Sequence, residues 1–123
     1  MDAHRTQRVR EALREELGEI IGYEMSDPRI EMVDVTEVEL ARDLRYAQVR
    51  VSLGGDSRRQ QEALEALESA RHYLRRELAG RLNLRRIPEL HFEADARMEA
   101  AARVESLLKR SRKGRRAPAG TNP

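Results

Sequence analysis

Every leucine, isoleucine, valine and phenylalanine of this 123-residue chain, 26 in all, lies before Lys109, so an apolar core has to be built from residues 1–108. They make up about a fifth of the chain, near the lower limit for closing a globular fold. One domain is expected. The same boundary divides the charge. Lys109, Arg110, Arg112, Lys113, Arg115 and Arg116 put +6 into eight residues, while residues 1–108 hold 18 basic and 22 acidic side chains, a formal −4. The +2 of the whole chain is an acidic body joined to a basic tail, and residues 109–123, which have no core-forming side chains, are expected to be disordered on their own.

No apolar run approaches the ~20 residues of a membrane helix, and the N-terminus lacks the apolar stretch of a secretion signal. The expectation is a cytoplasmic protein without membrane contact. The absence of cysteine excludes disulfide frameworks, thiolate zinc sites and cysteine nucleophiles together.

Val9, Leu13, Leu17, Ile20 and Ile21 recur at helical spacing, which predicts a helix over about residues 4–25, ended by Ser26-Asp27-Pro28. Strand-like residues follow from Met32 to Leu40, with the apolar phase moving from Val33 and Val35 to Val38 and Leu40. A bulge between Val35 and Val38 accounts for the switch. Ala47, Val49, Val51 and Leu53 then alternate with Tyr46, Gln48, Arg50 and Ser52, completing an antiparallel hairpin with one buried face. Ser57 and Gln60 have capping-box spacing at the start of a leucine stripe, Leu64, Leu67, Leu74, Leu78 and Leu82, which fits one helix or two with a kink. After Pro88, residues 89–94 predict a third strand with Leu90, Phe92 and Ala94 on one face. Asp95 is positioned to cap a last helix bearing Met98, Ala101, Val104, Leu107 and Leu108. The order is α-β-β-α-α-β-α. Its crossover leaves the second and third strands parallel, in a two-layer α+β domain with a three-stranded mixed sheet.

A series of short motifs then carries a resemblance. Arg8-Val9, Asp27-Pro28-Arg29, Val35-Thr36-Glu37-Val38, Asp43-Leu44, Ala47-Gln48-Val49-Arg50-Val51-Ser52, Arg75-Arg76-Glu77-Leu78-Ala79 and Arg85-Arg86-Ile87-Pro88-Glu89-Leu90-His91-Phe92, taken together, resemble the bacterial ribosome-binding factor A family over about residues 5–108. The resemblance implies a type II KH-like fold without catalytic activity. It also implies a factor that binds the small (30S) ribosomal subunit and assists late 16S rRNA maturation near the 5′-terminal helix. Ordinary KH domains clamp RNA through a GXXG loop between two helices, whereas the family has an Ala-X-Gly kink there. The matching positions here read Ala70-Arg71-His72, so the glycine is missing and helix continuity through Ala70–Tyr73 is expected.

Of the 24 basic residues, 22 are arginine, whose planar fork suits phosphate, but base-composition bias with surface ion pairs is the better explanation of the ratio, which is no evidence by itself. Arrangement says more. Residues 71–86 contain Arg71, Arg75, Arg76, Arg81, Arg85 and Arg86 against a single Glu77, a block that either contacts phosphate or pairs with Glu62, Glu65 and Glu68 of the preceding helix. Arg5, Arg8 and Arg10 form a second cluster, against the macrodipole of the first helix. The tail, from Lys109 to Arg116, is a third candidate RNA site. Tyr23 and Phe92 are expected in the core, which leaves few aromatics for base stacking.

Nothing supports catalysis, a cofactor or a metal. His4, His72 and His91 are scattered, Ser52 and Ser57 lack a nucleophile motif, no phosphate loop is present, and Asp27, Asp43 and Asp95 read as turn or cap residues. The candidate RNA-binding set is Arg5, Arg8, Arg71, Arg75, Arg76, Arg85 and Arg86 with the six tail cations, in a monomer. The rival reading is a protein-interaction module whose hairpin and acidic face bind a ribosomal protein or assembly GTPase and which touches RNA incidentally. A DNA-binding regulator lacks its helix-turn-helix or zipper.

Overall fold

The computed structural model describes residues 3–97. Its elements run α1 (Ala3–Glu19), β1 (Asp34–Leu40), β2 (Tyr46–Ser52), α2 (Ser57–Ser69), α3 (Arg71–Arg81) and β3 (Glu89–Ala94). The last helix expected from sequence lies outside the described residues except for its start at Ala96 and Arg97. There Asp95 acts as the predicted cap, its Oδ1 accepting the Arg97 N–H at 3.0 Å.

α1 buries Leu13 and Leu17 and continues into a π-helical turn, Ile20–Glu24, in which the Met25 N–H donates to the Ile20 carbonyl at 3.0 Å. Ile20 and Ile21 complete the buried stripe. Tyr23, expected in the core, is instead 84% exposed, because two residues beyond Ile21 lie on the far side of the helix. The proline at position 28 forces Asp27 into extended backbone (φ −92°, ψ 117°), and the Asp27 carboxylate accepts the Arg29 N–H at 2.9 Å. The turn that follows delivers Ile30 and Val33 to the core.

β1 and β2 pair antiparallel, with Val35 opposite Val51 and Glu37 opposite Arg50. Thr36 is therefore the extra residue of the predicted bulge. Its hydroxyl lies 2.6 Å from Asp95 Oδ2 and 3.2 Å from the Arg50 carbonyl, tying the bulge to the far end of the chain. The hairpin places Leu44 at φ +59°, a left-handed conformation unusual for a branched side chain. Its N–H donates to the Ala41 carbonyl at 2.9 Å, and Asp43 Oδ1 accepts the Arg45 N–H at 3.0 Å. β3 pairs parallel with β2 from Tyr46–Glu89 to Val51–Ala94, giving the strand order β1-β2-β3. Ala47, Val49, Val51, Leu53 and Leu90 are buried as the alternation requires, and Phe92 is half-buried against the core.

Two further local expectations differ from the structure. The N-cap of α2 is Asp56 rather than Ser57: Asp56 is extended, its carboxylate accepts the Arg59 N–H at 2.9 Å, and Ser57 is already the first helical residue. A carboxylate is also the better partner for a helix N-terminus. The helix does not run through Ala70–Tyr73. It breaks at Ala70 (φ −89°, ψ 2°), whose N–H is shared between the Ala66 and Leu67 carbonyls at 3.0 and 3.1 Å. The break needs no glycine, because φ stays negative and any L-residue adopts it. One straight helix from Ser57 to Arg81 would reach about 37 Å, well past a strand of about 23 Å. Broken, it turns Ala63, Ala66 and Leu67 of α2 and Leu74 and Leu78 of α3 into one core.

Candidate nucleic-acid interface

The arginine-rich stretch from Arg71 to Arg86 divides, in three dimensions, into paired and unpaired guanidiniums. Arg71 lies 3.4 Å from Glu68 and 3.7 Å from Glu89 on β3. Arg81 is held by Glu16 at 3.6 Å, by Glu77 at 3.0 Å and by a close double contact with Glu24, and its hydrogen bonds hold the Glu24 carboxyl below the usual range. Neither is available to a phosphate without breaking a contact. Of the three acidic residues on α2 considered as partners, only Glu68 pairs with this stretch.

Arg75 has a different task. Half-buried, it donates from Nη2 to the Ile87 carbonyl at 2.9 Å, while its Nε is buried without a described partner. This bond straps α3 to the loop before β3. Along the strap runs an open groove lined by His72, Arg75, Arg76, Ala79 and Ile87. Arg76 is exposed on the helical wall, and Arg85 and Arg86 are exposed on the loop next to Ile87. No described carboxylate lies within salt-bridge distance of these three side chains. A partly apolar groove with Arg75 and Arg76 in its lining, and Arg85 and Arg86 on the adjoining loop, suits a phosphodiester backbone approaching by shape and charge.

The α1 cluster is not part of this groove. Arg10 lies with Glu11, Arg14, Thr36, Glu37, Val38 and Arg97 beside the β1 bulge, and exposed Arg5 and Arg8 lie further along the same helix. None of the residues lining the groove comes from α1. The tail candidates Lys109, Arg110, Arg112, Lys113, Arg115 and Arg116 lie outside the described residues.

The sheet face turned away from the core has the opposite sign. The registers align Asp34 with Ser52, Glu37 with Arg50 and Glu93, Glu39 with Gln48 and His91, and Tyr46 with Glu89. Five carboxylates thus share a face with one strand arginine. Arg50 Nη1 lies 3.1 Å from Glu37 and also contacts Glu39, and its Nε donates to Glu93 at 3.0 Å. These hydrogen bonds, with Glu39 the largest cause, raise the Arg50 pKa further. Tyr46 and His91 meet edge to face, with ring centroids 5.4 Å apart. Sequence reasoning expected an acidic face beside the hairpin without naming its residues, which the registers give as Asp34, Glu37, Glu39, Glu89 and Glu93. Nearby, Arg97 and Thr36 hold the Asp95 carboxyl well below its usual range, and Arg97 Nη2 reaches Glu37 at 2.8 Å. Among the described residues no group of three or more His, Asp or Glu side chains is placed to hold a metal ion, and no helix is long and apolar enough to cross a membrane.

A sequence model of one family, ribosome-binding factor A, matches residues 5–108. The chain belongs to the ribosome-binding factor A family. Ribosome-binding factor A of Solibacter usitatus is 53% identical over 113 residues, 92% of either chain. The crystal structure of ribosome-binding factor A from Thermus thermophilus superposes with a TM-score of 0.67 at 30% identity, covering 72% of this chain and 93% of that one. A homology model of the T. thermophilus ribosome binding factor A, fitted into a cryo-EM map of a 30S–RbfA complex, matches with a TM-score of 0.56 at 31% identity, covering 76% of this chain and 93% of that one. With the ribosome-binding factor A family comes its KH-like fold, which the α-β-β-α-α-β order and the mixed β1-β2-β3 sheet reproduce. Where that family resemblance led to an expected continuous helix at Ala70-Arg71-His72, the chain breaks between α2 and α3 at Ala70 without the glycine.

Proposed function

We propose that this protein is a non-enzymatic assembly factor that binds the small ribosomal subunit, contacts 16S rRNA through the groove between α3 and the loop before β3, and assists late maturation near the 5′-terminal helix. The observation that carries the reading is the segregation of charge. Arg76, Arg85 and Arg86 stand without described carboxylate partners around a groove fixed by Arg75, while the opposite face of the sheet is acidic. Such a molecule meets a polyanion in one orientation. The T. thermophilus relative fitted into a map of a 30S complex supports the same partner here. In this reading residues 1–108 form the binding domain of a cytoplasmic monomer and residues 109–123 add electrostatic grip.

The groove has few features for reading bases, so recognition rests on backbone shape and charge. The factor holds one rRNA conformation until maturation is complete and then leaves. Co-sedimentation with isolated small and large subunits over a salt series tests the proposal. Selective, salt-sensitive association with the small subunit is expected. Equal association with both subunits, or no salt effect, refutes it.

A further inference from the structure

The open sheet face takes no part in the proposed RNA contact, and none of the described residues covers it. Three of its carboxylates, Glu37, Glu39 and Glu93, share the guanidinium of Arg50, and Arg97 pairs with Glu37 as well, which leaves three carboxylates against two guanidiniums at the centre of the face. Its β1 rim is also where the chain leaves the described structure. Arg97, the last described residue, pairs with Glu37 there at 2.8 Å.

Lys109 follows Arg97 by 12 residues. That length spans about 18 Å as helix and up to ~40 Å when extended. A seven-residue strand is about 23 Å long, and three strands are about 10 Å across between outer axes, so every point of the face is within reach. The segment that arrives carries six cations in eight residues. Being tethered, it competes at an effective concentration of order mM against any free basic partner.

We propose that Lys109–Arg116 docks on the open sheet face in the free protein, its cations set against Glu37, Glu39 and Glu93, and that rRNA draws it off. The same cations cannot neutralise carboxylates and phosphates at once, so docking lowers adventitious binding to nucleic acid and release adds grip once the groove is engaged. The docked state itself does not depend on the RNA reading.

Lysine chemistry offers a direct test, since Lys109 and Lys113 are the only lysines in the chain. Zero-length carbodiimide cross-linking of the full chain at low concentration, with a mixture of isotope-labelled and unlabelled protein to separate intramolecular from intermolecular links, reads out the carboxylates each lysine meets. Intramolecular links to Glu37, Glu39 and Glu93 are expected, falling several-fold at high salt and on addition of a 16S rRNA fragment. Absence of such links, or equal yields on Glu62, Glu65 and Glu68 of α2, overturns the docking. Links that persist undiminished on protein shown to be bound to the rRNA fragment overturn the competition. A failure of the fragment to bind at all counts against the proposed function, and the RNA-free links then decide the docking separately.

Discussion

Replacing Arg76, Arg85 and Arg86 together by glutamine removes three exposed cations without a described carboxylate partner, and the effect can be worked out in advance. Each neutralised phosphate contributes about 0.9 to the slope of log affinity against log salt for duplex nucleic acid and about 0.7 for single strands. Loss of three contacts flattens the slope by about 2 to 3 units. Between about 50 and 200 mM salt the affinity gap between wild type and variant therefore narrows by roughly 20- to 40-fold. The assay is a salt series of fluorescence anisotropy with labelled protein and purified small subunits at constant magnesium, with circular dichroism to show that the fold persists. Arg81→Gln is the control, because Arg81 is committed to Glu16, Glu24 and Glu77, and it should leave the slope unchanged. Parallel lines for wild type and triple variant, or an equal flattening by Arg81→Gln, would refute the assignment of the groove.

The remaining expectations concern the scaffold. Leu90→Ala, at a fully buried β3 position, should cost about 2–5 kcal/mol and lower Tm by at least about 8 °C; a loss below about 1 kcal/mol in urea unfolding contradicts the core position. Asp56→Ala should destabilise by about 1 kcal/mol through loss of the α2 cap, and Ser57→Ala by no more than a few tenths; the reverse order restores Ser57 as the cap. Arg97 and Thr36 depress the Asp95 pKa, so the unfolded chain takes up that proton more readily than the folded one. The stabilisation is complete above the unfolded value of about 3.9 and is lost as pH falls further. Asp95→Asn should flatten this acid limb in a thermal unfolding series, and an unchanged limb contradicts the account.

Much of this architecture is legible along the chain because its causes are local. The change of apolar phase between Val35 and Val38 marks the bulge, the proline at position 28 marks the end of the first helical run, and the strict alternation from Tyr46 to Leu53 marks a sheet with one covered face. Two helices in the crossover were legible from the order of elements, but the place of the break at Ala70 was not, because its backbone conformation demands no special residue. Asp56 and Ser57 are both good caps, and only the backbone geometry separates them. The candidate site was half legible. Arginine density marked the stretch that borders the proposed groove, but Arg71 and Arg81 are paired with Glu89, Glu16 and Glu24, partners distant in sequence and brought close only by folding. The acidic face was expected but not assembled for the same reason, since its carboxylates come from β1 and β3, on either side of β2.

The parallel pairing of β2 with β3 also sets an order of events during synthesis. β1, β2, α2 and α3 all precede Glu89, yet β2 keeps an open edge until residues 89–94 have emerged, and the bond from Arg75 to Ile87 has no acceptor until the loop before β3 exists. Non-local contacts of this kind form late, after the chain between them has been ordered. The groove proposed for rRNA is therefore among the last parts of the molecule to be assembled. A nascent chain halted before β3 carries its arginine-rich helix unstrapped beside an unpaired strand, the kind of edge that invites association with other chains.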